Sequence, residues 1–126
     1  MEINAFIYLG FIRNILLALP GVTESVSHGT PAFYVQKKLL ARIWENGEVL
    51  VIRTDDRDKW LRKDPETFFF TDHYRNYPCV LVNFERVQPD DLKLLLTTAW
   101  LGRASKNLLK EYQKNNSEIE LPKSEI

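Results

Sequence analysis

The apolar and polar positions in the first third of the chain predict a helix followed by strands. Residues 3–19 are mostly apolar and predict a largely buried helix. It should end at Pro20-Gly21, because the residue before a proline avoids the α region. Residues 25–27 alternate polar and apolar side chains, Gly29-Thr30-Pro31 interrupts them, and an apolar run follows at 32–35. This pattern predicts two short strands joined by a tight turn. Lys37-Lys38 then predicts a polar turn.

A β-hairpin is the clearest local prediction of the sequence. Two apolar runs, residues 39–45 and 48–54, are separated by Asn46-Gly47. Both central residues of a type I′ turn need positive φ, which asparagine and glycine tolerate best. We therefore expect these two runs to pair as antiparallel strands.

The second half of the chain predicts a short helix, two extended segments and a final helix. These are residues 55–63, 68–71, 79–87 and a helix opened by Pro89. The final helix has an apolar stripe of Leu92, Leu95, Leu96 and Ala99. A straight continuation would turn Arg103, Lys106 and Lys110 toward the core. We therefore expect the helix either to break near Gly102 or to project past the sheet.

This order of elements, α-β(3-4)-α-β(1-2)-α, predicts a two-layer α+β fold. One antiparallel sheet of about five strands would pack against the helices, since hairpins dominate and no βαβ repeat is present. We expect residues 1–115 to form a single domain and residues 116–126 to form a frayed C-terminal tail.

Charge and cysteine content narrow the classes of function. The 17 basic residues balance the 17 acidic ones, which argues against strong non-specific DNA binding but allows a local basic surface. A single cysteine, Cys79, fits the reducing cytoplasm. The apolar run at residues 5–12 is too short to span a bilayer and lacks the flanks of a signal peptide, so we expect no membrane partner.

The segment TDHYRNYPCVLVNF (71–84) joins a polar, aromatic corner to a buried strand. Tyr74, Tyr77 and Pro78 are expected to be structural, with buried rings and with hydroxyls that hold loop carbonyls. His73 and Arg75 suit an anion or a stacked base. Further candidates for the same surface are Lys37, Lys38, Arg103, Lys106 and Lys110. Their ligand would be nucleic-acid phosphate or a small anion in a cleft.

Catalytic and metal sites are not indicated by the sequence. No nucleophile is paired with a base and an orienting group, and Cys79 belongs to a strand that reads as buried. The histidines and the cysteine lack the spacing of zinc ligands. We therefore expect a protein without enzymatic activity, metal or cofactor.

Several motifs in order carry a resemblance to a known family. Residues 27–33 read SHGTPAF and residues 64–82 read DPETFFFTDHYRNYPCVLV. LPGV at 19–22, Asp90-Asp91-Leu92 and Ala99-Trp100 accompany them. Together they resemble the MmcQ/YjbR family of small bacterial proteins over about residues 5–110. The sequence departs from the family pattern at Asn76, where glycine is common, and at His28, where an aromatic residue is common.

The resemblance implies a compact α+β domain with a CyaY-like or secretion-chaperone-like sheet. The family is commonly described as DNA-binding, through its likeness to a double-wing arrangement. By that likeness, the hairpin tips at Asn46-Gly47 and Lys37-Lys38 would contact DNA phosphates. The alternatives are a protein that binds a small anion and an adaptor for another protein. In each case we expect a monomer or a weak dimer. The resemblance carries over no catalytic residue.

Overall fold

A computed structural model describes the backbone of residues 2–44 and 47–124, and the side chains of residues 7–44 and 47–115. Within these ranges the elements are α1 (Glu2–Leu16), β1 (Val22–Ser27), β2 (Thr30–Val35), β3 (Lys38–Ile43), β4 (Val49–Arg53), α2 (Arg57–Lys63), β5 (Phe68–Phe69), β6 (Cys79–Asn83), α3 (Pro89–Arg103) and α4 (Lys106–Ser124). A 3₁₀ turn at Asp72–Tyr74 lies between β5 and β6. None of the helices described is long and apolar enough to cross a membrane.

The sheet is antiparallel throughout, with the strand order β1-β2-β3-β4-β6-β5. This confirms the predicted α+β class. The described residues contain six strands instead of about five, because Phe68–Phe69 pairs with β6 and forms one edge of the sheet. The sequence could only suggest an extended piece there, since a two-residue strand carries almost no periodicity.

The hairpin turns explain a one-residue correction to the predicted strand limits. Gln36 and Lys37 both have positive φ, 51° and 72°, and Val35 pairs with Lys38. The turn is therefore Gln36-Lys37, as a two-residue type I′ loop requires, and Lys38 is already in β3. The predicted pairing of β3 with β4 is confirmed, and Gly47 has φ 74°. Asn46 lies outside the described residues.

The two faces of the sheet have different neighbours. Phe33, Leu50, Ile52, Val80 and other residues of one face form the main core, together with buried side chains of α1 and α3. Strand residues alternate between the faces. The opposite face therefore carries a smaller buried cluster of Val49, Val51, Cys79 and Leu81, which Trp44, Phe69 and Tyr74 cover. We call this second face the outer face.

The last helical segment breaks, which is the first of the two predicted alternatives. Helix α3 ends at Arg103, Ala104 is extended with φ −70° and ψ 145°, and α4 begins at Lys106. The break lets Leu108, Leu109 and Tyr112 pack against the core while Lys106 and Lys110 stay exposed. The backbone of α4 is helical to Ser124, and fraying of residues 116–126 stays a prediction.

Gly21 provides a test of how α4 packs onto the domain. Its φ is 75°, and a Cβ placed there would lie 2.7 Å from Leu108 Cδ1. We expect Gly21→Ala to lower the free energy of unfolding by about 1–2 kcal/mol, because both the backbone and Leu108 must adjust.

Gly10→Ala in α1 is the matched control. A Cβ at Gly10 meets no heavy atom within 4 Å, so this change should stabilise by about 0.5–1 kcal/mol through helix propensity. Urea denaturation measures both, and equal stability of Gly21→Ala and wild type would contradict the packing of α4.

Candidate anion-binding cleft

One arginine bonds the backbone of the corner formed by residues 71–78 at several points. Arg57, the first residue of α2, reaches the loop that follows β5. Its guanidinium donates hydrogen bonds to four backbone carbonyls: those of Arg75 (2.7 Å), Tyr74 (2.9 Å), Tyr77 (3.2 Å) and Cys79 (3.3 Å). The same guanidinium stacks over the Phe70 ring at 4.2 Å. The corner is therefore built around a cation that lies some twenty residues earlier in the chain.

The corner tyrosines act differently from the prediction. Their hydroxyls were expected to hold the loop carbonyls, which Arg57 holds instead. The Tyr74 hydroxyl accepts a hydrogen bond from Arg42 Nη2 at 3.1 Å, which anchors the corner to the outer face. The Tyr74 ring packs against His73 and Tyr77 at centroid distances of 4.7 and 6.0 Å. Tyr77 is 55% exposed, so its ring is a wall of the surface and not part of the core.

A cleft of about 160 Å³ lies between this corner and the end of the outer face. Val51 and Arg53 are two residues apart on β4, so both side chains lie on the outer face. Cys79 of β6 is the direct partner of Arg53 in the sheet. The C-terminal end of α3 closes the cleft with Arg103. Its full lining is Leu39, Val51, Arg53, Tyr74, Tyr77, Pro78, Cys79 and Arg103.

Two guanidinium groups meet in this mostly apolar cleft. Arg53 Nη1 lies 2.9 Å from Asp55 Oδ1, whereas Arg103 forms no side-chain ion pair in the described part of the chain. The Nε atoms of both arginines are buried without a hydrogen-bond partner among the described residues. Burial lowers the pKa of Arg103, and the nearby charge of Arg53 lowers it further, while Asp55 acts in the opposite direction. Buried donors beside a like charge favour an incoming anion.

Cys79 contributes a neutral wall to the cleft. Burial raises the pKa of its thiol, against the smaller opposing effects of Arg57 and Arg53. The thiol therefore stays protonated near neutral pH and behaves as a small apolar side chain.

The predicted site residues divide into two groups. The first group lines the cleft and consists of Arg103, Tyr74, Tyr77 and Pro78. Lys38 lies beside the cleft, with its Nζ 3.5 Å from the Arg103 carbonyl oxygen. The others are exposed and outside the cleft: Lys37, His73, Arg75, Lys106 and Lys110. Arg75 already pairs with Asp72 at 2.7 Å.

Sequence reasoning missed Arg53 and Arg57, and both left a signal. Period two places Arg53 on the same strand face as Val49 and Val51, which is an unusual position for a charge unless it serves a site. Arg57 occupies the first turn of a helix, where the helix dipole disfavours a cation. A basic residue in that position indicates a tertiary partner.

Two larger depressions, of about 370 and 340 Å³, are less suited to an anion. In the first, three aspartates offset three basic residues: Asp55, Asp56, Asp58, Arg57, Lys59 and Arg62. In the second, three acids outnumber one arginine: Asp64, Glu85, Asp91 and Arg86. In the described ranges, no three His, Cys, Asp or Glu side chains are arranged to hold a metal ion. The cleft at Arg53 and Arg103 is therefore the stronger candidate.

Comparisons with known proteins agree with the motifs and the fold. The model of the YjbR family matches residues 17–101. The uncharacterized proteins Mb2600 of Mycobacterium bovis and Rv2570 of Mycobacterium tuberculosis are each 31% identical over 127 residues, covering 83% of this chain and 95% of the relative. The crystal structure of Deinococcus radiodurans protein DR2400, a DUF419 domain, shares the fold, with a TM-score of 0.65 at 20% identity over 85% of this chain and 86% of that one. The chain therefore belongs to the YjbR family.

Proposed function

We propose that the protein binds a compact anion in the cleft between the corner and the outer face, without transforming it. The observation that carries this proposal is that Arg53 and Arg103 line one mostly apolar cleft, while the Arg103 guanidinium has no ion pair among the described residues. A guanidinium without an anionic partner in apolar surroundings is costly, and a ligand that accepts its hydrogen bonds removes that cost.

The chemistry of the cleft suits an anion of modest size. The Nε–H and Nη–H edge of a guanidinium matches the two oxygens of a carboxylate or phosphate group. The apolar walls lower the local dielectric constant and strengthen such hydrogen bonds. The volume of about 160 Å³ is below the roughly 300–1,000 Å³ of pockets for drug-sized ligands. The cleft therefore fits a small ligand or one end of a longer one.

A nucleic acid is the second candidate ligand. Lys37 is exposed at the β2–β3 turn, and Lys38 lies beside Arg103, so phosphates have cations to contact at this end of the sheet. Gly47, the described residue of the second tip proposed from the wing likeness, follows β3. It therefore lies at the opposite end of that strand, roughly 17 Å away. The balanced total charge also favours the small anion. For either ligand we infer a cytoplasmic location, from the single free cysteine.

Ligand-induced thermal stabilisation tests the first candidate. Phosphate, sulfate, acetate and benzoate, each compared with potassium chloride at matched ionic strength, form the panel. We expect at least one of them to raise the Tm of the wild type with saturation. Arg103→Gln should abolish that rise, whereas Lys110→Gln, an exposed position on α4, should keep it. The proposal fails if no anion stabilises the wild type, or if Arg103→Gln responds as the wild type does.

The second candidate has its own measurement. Binding to duplex DNA through Lys37 and Lys38 should weaken with salt, with a log–log slope of about −0.9 per phosphate contact. The double variant Lys37→Gln/Lys38→Gln should reduce that slope. If duplex and single-stranded DNA both fail to bind at low salt, nucleic-acid binding is excluded.

A further inference from the structure

We infer that the ligand of the cleft is a monoanionic carboxylate carried on an aromatic ring or a branched apolar chain. This inference rests on the proposed function and specifies its ligand class. Two features of the cleft select that class: the number of unmatched charges and the nature of the walls.

The charges in the cleft favour one negative charge over two. Arg53 already pairs with Asp55 at 2.9 Å, and this aspartate is 76% exposed at its side chain. Arg103 is the one lining cation without an ion pair in the described part of the chain. A dianion such as phosphate would bring a second negative charge toward the Asp55 carboxylate, where like charges repel. A carboxylate instead matches a single guanidinium edge with its two oxygens.

The walls of the cleft favour an apolar body next to the anionic group. Leu39, Val51 and Pro78 provide aliphatic surface, and Tyr74 and Tyr77 provide ring faces. The Tyr74 hydroxyl is engaged with Arg42, so the Tyr74 ring contributes mainly its apolar face. A ring or branched chain gains by displacing water from this surface. Inorganic phosphate has no apolar atoms that could pack against this apolar surface.

Calorimetric titration of the full chain at matched ionic strength tests the inference with four probes. The probes are benzoate, 3-methylbutanoate, the neutral analogue benzamide, and inorganic phosphate. We expect saturable binding of both carboxylates, benzamide at least about tenfold weaker, and no phosphate binding. Arg103→Gln should weaken benzoate binding by about 10- to 100-fold. Leu39→Ala, at a residue already 36% exposed, should weaken it by about threefold to tenfold without loss of folding.

The outcomes separate this inference from the proposed function. If phosphate binds through Arg103 and benzoate does not, the inference is overturned while anion binding in the cleft stands. If benzamide binds as tightly as benzoate, the cleft selects apolar bodies without regard to charge, and the inference is overturned. If neither the carboxylates nor phosphate bind, it fails together with the proposed function.

Discussion

Replacing Arg57 with methionine should lower the free energy of unfolding by about 3 kcal/mol, because four backbone carbonyls lose a charged donor at once. Methionine keeps much of the length and the contact with Phe70 but donates no hydrogen bond. The free energy of unfolding follows from urea denaturation. The same variant should bind any cleft ligand more weakly, since the corner carries Tyr74 and Tyr77.

Two controls isolate the role of the Arg57 hydrogen bonds. Arg62→Met lies on the same helix, at an exposed residue without a side-chain hydrogen bond to the described residues, and should change stability by less than about 0.5 kcal/mol. Arg57→Lys keeps the charge but lacks the planar fork, so it should recover only a small part of the loss. A lysine variant as stable as wild type would show that charge alone holds the corner.

Trp100→Ala should destabilise the protein by about 3–5 kcal/mol, the range typical of a large aromatic side chain removed from a core. Trp100 is fully buried, and its Nε1–H donates to the Pro20 carbonyl at 2.8 Å. Its ring also packs against Tyr112 of α4 at a centroid distance of 5.0 Å. The side chain therefore connects α3 to the segment that follows α1 and to α4.

A phenylalanine at position 100 separates the ring from its hydrogen bond. Trp100→Phe retains most of the apolar contact but leaves the Pro20 carbonyl without its donor, so we expect a loss of about 1–2 kcal/mol. Both variants are measured by thermal and chemical unfolding. A loss below about 1 kcal/mol for Trp100→Ala would contradict the packing of α3 against α1 and α4. Because Arg103 follows Trp100 by one helical turn, weakened anion binding should accompany the loss of stability.

Local chemistry explains why much of the fold was predictable. Pro89 begins α3, the helix breaks just after Gly102, and Gly47 has the positive φ that a hairpin turn needs. Each of these features depends on a few neighbouring residues, so the sequence records it directly. The turn at Gln36-Lys37 was predicted one residue too late, at Lys37-Lys38. Two consecutive lysines do not indicate where the turn ends and β3 begins.

The candidate site was less predictable because its parts are distant in sequence. Arg57 bonds carbonyls 17 to 22 residues later, and Arg53 meets Arg103 from an entirely different element. The residues next to them in the sequence give no information on such tertiary contacts. Arg75 was predicted to bind an anion because it lies between two tyrosines, yet its side chain pairs with Asp72 three residues away. The tyrosines mark the corner in the sequence, whereas Arg57, the cation that holds the turn, is recognised only in the tertiary fold.

The most direct test of an anion held by Arg53 and Arg103 is the ¹⁵N–¹H spectrum of the arginine Nε–H groups during titration with benzoate and, separately, phosphate. We predict that the signals of Arg53 and Arg103 shift saturably with at least one of these anions, while that of Arg62 stays in place. In the Arg103→Gln variant, the Arg53 signal should no longer shift on titration with the anion. Unchanged signals at both arginines, or a saturable shift at Arg75 in their place, would contradict the assignment of the cleft as the anion site.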